Sequence, residues 1–374
     1  MTARDAYASL VPDVYATRRA RLAELLAERD LDAALITRLV NVRYLTGLVS
    51  SNAALLISAT GDAVLATDGR YATQAQGQAP DVELVVNRAV AATLVERAHA
   101  DQLRVAVEEH DVTLALADTL TKAAGGAPLD RLGRVVESLR EVKDEAELTA
   151  VRTACAISCD ALEEVLAGPL VGRSEREIAR DLEGRMYAHG ADDISFDTIV
   201  ATGPNSAVPH HRADRREVEP GDLLKIDFGA AVDGYHADCT RTVVVAREPA
   251  EWQQEIYALV AEAQRVGREA LAPGAACVDV DTAARTVIAA AGYGDNFTHG
   301  LGHGVGLEIH EAPTLGYSAP GTLADRMPVT VEPGIYLPGR GGVRIEDTLV
   351  VRDASAGGTE LLTTTTKELL VVGG

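Results

Sequence analysis

The chain has 374 residues, with 35 basic against 56 acidic side chains for a formal charge of −21 at pH 7, and 47% of its residues are hydrophobic. Such a charge excludes a nucleic-acid binder that tracks phosphates, which needs a basic face, and argues against docking on anionic lipid. The length predicts two domains, and no window approaches the ~18 uninterrupted apolar residues of a membrane span. The opening stretch MTARDAYASLVPDVYATRRARL carries charges where a secretory signal would need an apolar run. Residues 15–30 read as an amphipathic helix, with Leu22, Leu25 and Leu26 at helical spacing. The short apolar runs AALI (33–36), AALLIS (53–58), AVLA (63–66), ELVV (83–86) and RVAV (104–107) read as strands, with a helical pattern around 88–100. This alternation predicts an α/β domain over residues 1–137.

The remainder, 138–374, reads as a second domain. The segment ESLREVKDEAELTAVRTACAISCDALEEVL is expected to form one helix leading into it. Ser174, with Glu177 three residues on, has the pattern of a capping box, and that helix should run to about His189 before Gly190 stops it. Helical patterns recur at 249–271 and 279–291, while DTIVAT, DLLKIDFGA, GYHADCTRTVVVA, PVTVEPGIY and GGVRIEDTLVV read as strands, making this half α+β. The TTTT run at 363–366 reads as an exposed strand end. Cys155, Cys159, Cys239 and Cys277 include no zinc-type CxxC pair, which fits buried thiols in a reducing cytoplasm better than a disulfide framework.

Ionisable residues concentrate in this second half. Six of the nine histidines lie there in the chemistry-bearing stretch, at 210, 211, 236, 299, 303 and 310. Asp227 sits inside LLKIDFGA, Glu332 inside VTVEPGIY and Glu346 inside GVRIEDTLVV. A carboxylate in a buried strand is costly unless it is paired or binds metal. Three of them, with Asp238, call for a common cause, and a shared cation is the simplest. If Asp233-Gly234 forms a two-residue hairpin turn, Val232 pairs with Tyr235 and Asp227 falls opposite Thr240. Asp238 is then the diagonal neighbour of Asp227 on the same sheet face. A one-residue slip would separate them. In THGLGHGVGLEIHE the glycines argue against a zinc helix and for an extended or looped segment that brings backbone close to a ligand. Four carboxylates and one imidazole balance two divalent cations and suit a hard ion such as manganese, with cobalt or zinc able to substitute in vitro.

The ordered set IDFG, DCTRT, THGLGHGVG, VEPGIY and RIED, with PHHR upstream, resembles the pita-bread metallopeptidases, which include methionine aminopeptidase, aminopeptidase P and prolidase. NVRYLTGLVSSNAALL and ATDGRYATQA resemble the N-terminal domain of the creatinase, prolidase and aminopeptidase P branch. The resemblance implies a creatinase-like α/β domain followed by an α+β pita-bread catalytic domain. It implies a metal set of Asp227, Asp238, His303, Glu332 and Glu346, in which Asp238 and Glu346 bridge two ions. His210 would stand on the substrate side, His299 and His310 would serve the scissile carbonyl, Glu332 would handle a proton, and Arg344 matches an active-site arginine.

The implied activity is cleavage of the Xaa-Pro bond, at the N-terminus of peptides or in dipeptides, by a hydroxide bridging two metals. The implied partner is a proline-containing peptide, the implied assembly a homodimer and the implied compartment the cytoplasm. Two other readings share the fold: a metal-independent creatinase-like amidinohydrolase, and an inactive module that binds peptide or protein. The intact ligand set argues against both. His211 and His236 read as supporting or solvent-facing residues, and Arg241 as part of an ion pair behind the metals.

Overall fold

The computed structural model describes residues 11–373, and the chain separates into two units between Arg140 and Glu141. In the first unit, the helix Val11–Glu28 buries Leu22 and Leu26, one turn apart on its inner face. The strands follow the apolar runs closely: Ala33–Ile36, Ala53–Ser58, Ala63–Thr67, Glu83–Val86 and Val105–Val107. With Asp130–Arg131 they form one mixed six-stranded sheet, ordered from Glu83–Val86 through Ala63–Thr67, Ala53–Ser58, Ala33–Ile36 and Val105–Val107 to Asp130–Arg131. The helix Val90–Ala100 lays Val90, Ala91, Leu94, Val95 and Ala98 against the sheet, joining Leu35, Leu56 and Val107 in one core. This half is α/β, as expected.

The segment expected as one helix at the start of the second half is broken. Helices Val135–Glu141 and Glu145–Leu166 flank a short turn, and Asp144 caps the second of them. The Asp144 carboxylate accepts from Glu147 N at 2.9 Å, and Glu147 Oε2 accepts from Asp144 N at 2.9 Å. The same reciprocal box, recognised in the sequence at Ser174, starts Glu175–Ala188, which ends before Gly190 at φ 100°. D-E-A-E carried the signal at Asp144, but the apolar periodicity running through it hid the cap.

The second unit is α+β. One sheet orders Val371–Val372, Cys239–Val245, Leu223–Phe228 and Ile199–Thr202; another orders Glu311–Leu315, Gly302–Gly304, Pro328–Val331, Asp347–Val350 and Glu360–Leu361. Each is backed by a helix pair. Glu145–Leu166 and Glu175–Ala188 share a core with Leu224, Ile226, Phe228, Cys239, Val243 and Val245. Glu251–Glu269 and Cys277–Ala290 share another with Val329, Val331, Leu349, Leu223 and Val244. Period-two alternation therefore turns Leu224, Ile226 and Phe228 to one face, and Leu223, Lys225 and Asp227 to the other.

The TTTT run is not an exposed strand end. Thr363 and Thr365 are buried, and the Thr365 carbonyl accepts from Arg241 Nη2 at 2.8 Å. All four cysteines are buried and free. Among the described residues, no helix is long and apolar enough to cross a membrane.

Candidate metal centre

The hairpin forms in the expected register. Asp233 and Gly234 take φ of 49° and 76°, the left-handed pair that a tight hairpin turn requires, Val232 pairs with Tyr235, and Asp227 lies opposite Thr240. Asp238, Thr240 and Thr242 thus share a face with Lys225 and Asp227. The other carboxylates sit at interruptions rather than within strands, which corrects their expected placement. Glu332 lies between Pro328–Val331 and Gly334–Leu337, and Glu346 between Gly341–Arg344 and Asp347–Val350. Asp238 precedes Cys239–Val245 in the same way. A strand end frees the backbone to aim a side chain sideways, which the pleat would not allow.

His303 is on the short strand Gly302–Gly304, and the glycines around it are structural necessities. A Cβ on Gly302 would come within 2.0 Å of the Thr330 carbonyl oxygen, and one on Gly304 within 2.3 Å of the Ala312 carbonyl oxygen. The segment is extended and looped, as its glycines implied.

The side chains converge. Ligand atoms of Asp238, His303 and Glu346 all lie within 4.8 Å of one another. His303 Nε2 is 3.5 Å from Asp238 Oδ2 and 3.4 Å from Glu332 Oε1. Its Nδ1 is 3.1 Å from the Gly304 carbonyl, a bond that holds the proton on Nδ1 and leaves the Nε2 lone pair aimed at the carboxylates. Thr240 Oγ1 donates to Glu346 Oε2 at 2.6 Å, and Thr330 Oγ1 donates to Glu332 Oε1 at 3.3 Å. Asp227 receives Arg344 Nη2 on Oδ2, while its buried Oδ1 has no hydrogen-bond partner among the described residues. A buried carboxylate oxygen left without a partner costs about 1–3 kcal/mol unless something else satisfies it.

The electrostatics give the same diagnosis. Burial, then repulsion from Glu346, Asp227 and Glu332, drives the Asp238 carboxyl far above its usual range. Burial and then Glu332 do the same to Glu346, and burial followed by Asp227 pushes Glu332 up to about 8. Burial and the adjacent His310 hold His303 down to about 4, so its imidazole is neutral at pH 7. Four carboxylates and one neutral imidazole lining one cavity form an oxygen-rich donor set that only a cation of high charge lets ionise together. The residues fit a divalent metal centre.

A cavity of about 670 Å³ opens over this set, and His210, His299 and His310 line it with Asp227, Asp238, His303, Glu332 and Glu346. His299 is already engaged: Nδ1 lies 2.8 Å from the Gly300 carbonyl and Nε2 2.9 Å from Tyr336 Oη. Burial, then Arg344, holds it down to about 4. Partial desolvation, then the nearby His210, lowers His310, whose ring packs edge-on against His303 at 4.4 Å. Arg344 stands behind the cavity wall. Fully buried, it donates to Thr240 Oγ1 at 3.0 Å, Tyr336 Oη at 2.9 Å and the Pro209 carbonyl at 3.1 Å, besides Asp227. Arg241 lies deeper, donating to Asp347 Oδ1 at 2.8 Å and to the Glu346 carbonyl.

Three residues that sequence reasoning passed over support the site. Lys225 is buried and its Nζ donates to the Val208 and Pro209 carbonyls at 2.6 and 3.1 Å. A lysine inside LLKIDF was as anomalous as the aspartate two residues on, and the same logic would have found it. Tyr336, in VEPGIY, links His299 to Arg344. Glu175 had no signal, because an acid in the first turn of a helix is ordinary. Its carboxylate nevertheless accepts from Thr202 N at 2.8 Å, Asn205 Nδ2 at 2.9 Å and Asp214 N at 3.1 Å, and it lies 2.7 Å from His211 Nε2. Glu175, His211 and Asp214 cluster closely enough to suggest a second metal site. Their hydrogen bonds identify them instead as the fastening of the segment that carries His210. His236 is likewise a supporting residue, with Nδ1 2.8 Å from the Gly306 carbonyl.

Comparison with known proteins places this geometry. Residues 149–353 match metallopeptidase family M24, and residues 18–142 match the creatinase/prolidase N-terminal domain. A Xaa-Pro dipeptidase of Pyrococcus horikoshii is 35% identical over 366 residues, covering 96% of this chain and 100% of that protein. The structure of a Xaa-Pro dipeptidase from Bacillus anthracis superposes with a TM-score of 0.90 at 36% identity, covering 96% of this chain and 100% of the other. That of an X-Pro aminopeptidase from Thermotoga maritima superposes at 0.86 with 36% identity, covering 95% and 99%.

Proposed function

Because the chain belongs to metallopeptidase family M24, with a creatinase-type N-terminal domain ahead of a pita-bread catalytic domain, we propose that it hydrolyses the Xaa-Pro bond of short peptides. The observation that carries this reading is the convergence of Asp238, His303 and Glu346, with Glu332 and the unpartnered Oδ1 of Asp227 beside them, under one cavity. We assign Asp227, Asp238, His303, Glu332 and Glu346 as the metal ligands. Manganese is the metal the donor set favours, since oxygen donors outnumber the single nitrogen and no thiolate is present. When bound, divalent cations supply Lewis acidity toward the scissile carbonyl and lower the pKa of water.

The chain's own residues supply the rest. Thr240 and Thr330 hold Glu346 and Glu332 in fixed rotamers by donating to one oxygen of each. Arg344 fixes Asp227 from behind, leaving Oδ1 for the centre. Glu332 Oε accepts the proton of the attacking water. Proline leaves as a secondary amine, and its imide nitrogen in the substrate has no N–H to be recognised, so a proton donor must stand beside it. His210 and His310 line the cavity with exposed rings and are the groups placed to donate there and to the carbonyl oxygen. Retention of every ligand position argues against the creatinase-like and inactive readings. Four buried thiols without a disulfide favour the cytoplasm as the compartment.

The test is a substrate panel on manganese-loaded protein. Cleavage of Xaa-Pro peptides at least about a hundredfold faster than the matching Xaa-Ala peptides is expected, a difference of ~2.7 kcal/mol in transition-state binding. Equal rates on both would refute the proline reading, and no turnover of either would leave a binding module.

A further inference from the structure

The cavity over the metal centre is almost wholly anionic in its charged groups. Besides the four carboxylates of the centre, Asp197 lines it, and Arg212 is the only lysine or arginine among the described lining residues. Arg344 and Lys225 are fully committed behind the wall, to Asp227, Tyr336, Thr240 and the carbonyls of Val208 and Pro209. Arg212, by contrast, is exposed and lines the cavity, and among the described residues no hydrogen bond or ion pair holds its guanidinium, not even to Asp197. Its backbone is well anchored. Val208 and Pro209 on one side are gripped by Lys225, and His211 and Asp214 on either flank are tied to the buried carboxylate of Glu175. An unpaired guanidinium is thus presented on a fixed stem, two residues from His210.

We propose that Arg212 receives the free C-terminal carboxylate of the substrate, which makes the protein a dipeptidase in preference to an enzyme acting on longer chains. This rests on the Xaa-Pro reading above and names the substrate class within it. In a molecule of charge −21 whose cavity is lined by five carboxylates, an anionic substrate terminus needs a cation to offset the repulsion, and Arg212 is the cation provided. The guanidinium fork matches a carboxylate through two parallel N–H···O bonds. A peptide extended beyond proline presents a neutral amide at the same place and gains far less from it.

The experiment compares a Xaa-Pro dipeptide with the same dipeptide amidated at its C-terminus, on metal-loaded wild-type protein and on the Arg212→Gln and Arg212→Lys variants. Wild-type protein should prefer the acid. Arg212→Gln should lose at least about tenfold in kcat/KM on the acid, mainly through KM, and change less than about twofold on the amide. Arg212→Lys, keeping the charge without the fork, should recover part of the loss. An equal loss on acid and amide, no loss on either, or a wild-type preference for the amide overturns the assignment while leaving Xaa-Pro hydrolysis standing. Wild-type protein that cleaves neither compound refutes the Xaa-Pro reading itself, and the role of Arg212 falls with it.

Discussion

Glu332 shows most clearly what the centre requires of a single residue. Half-buried beside Asp227, its carboxyl is pushed up to about 8, first by desolvation, so without a cation it is protonated at pH 7. A folded-state value above the ordinary 4.5 means that the metal-free fold favours the neutral acid. Any stability this group lends the metal-free protein is present at the acid end and is lost as pH rises through the window from the ordinary value toward 8. Asp238 and Glu346, raised in the same direction by burial and then by repulsion from neighbouring carboxylates, act with the same sign. Metal must therefore displace protons, and its affinity should rise with pH. Titration calorimetry with manganese at pH 6, 7 and 8 should show tighter binding at each step and a proton release that shrinks toward pH 8. Affinity independent of pH would mean that these carboxyls are already ionised in the metal-free fold.

At the scale of elements, the centre depends on how strands end and how loops are fastened. Helix Glu175–Ala188, started by the Ser174–Glu177 box, opens with the residue whose carboxylate ties down the 202–214 segment, so the start of the helix positions the group that places His210 and Arg212. Replacing Glu175 by alanine strands the buried N–H of Thr202 and removes the acceptor of Asp214 N and Asn205 Nδ2. It should cost about 3 kcal/mol of stability, read by denaturant unfolding. Glu175→Gln keeps one acceptor oxygen and should fold, yet lose activity while binding manganese normally. Unchanged kinetics in a folded Glu175→Gln protein would show that the fastening does not matter to turnover.

Much of this was legible from residues and spacing. The Asp233-Gly234 turn fixed the register that puts Asp227 and Asp238 on one face, and the glycines around His303 ruled out a helix. What stayed hidden were groups whose meaning depends on tertiary neighbours. Glu175 looks like an ordinary first-turn acid until the loop folds over it. Arg344 lies behind the cavity wall, bonded to Asp227, which its place in the motif could not reveal. Glu332 and Glu346 read as strand residues because the apolar pattern runs on past the points where pairing stops.

Over the whole molecule, division of labour follows the sheets. The first unit is a conventional mixed sheet with its own core and contributes none of the five proposed ligands, whereas the second unit brings two sheets' worth of strand ends to one point. Carboxylates from distant positions in the chain are assembled only when both sheets are formed, so binding of the cation and folding of this unit are linked. The most direct measurement is a manganese add-back titration of metal-stripped protein, following bound metal and hydrolysis of a Xaa-Pro dipeptide together, for wild-type and Asp238→Asn. The account predicts that wild-type activity rises in step with bound metal and saturates near two equivalents, and that Asp238→Asn folds but neither saturates nor turns over. Activity that is full without metal, or undiminished in Asp238→Asn, would contradict it.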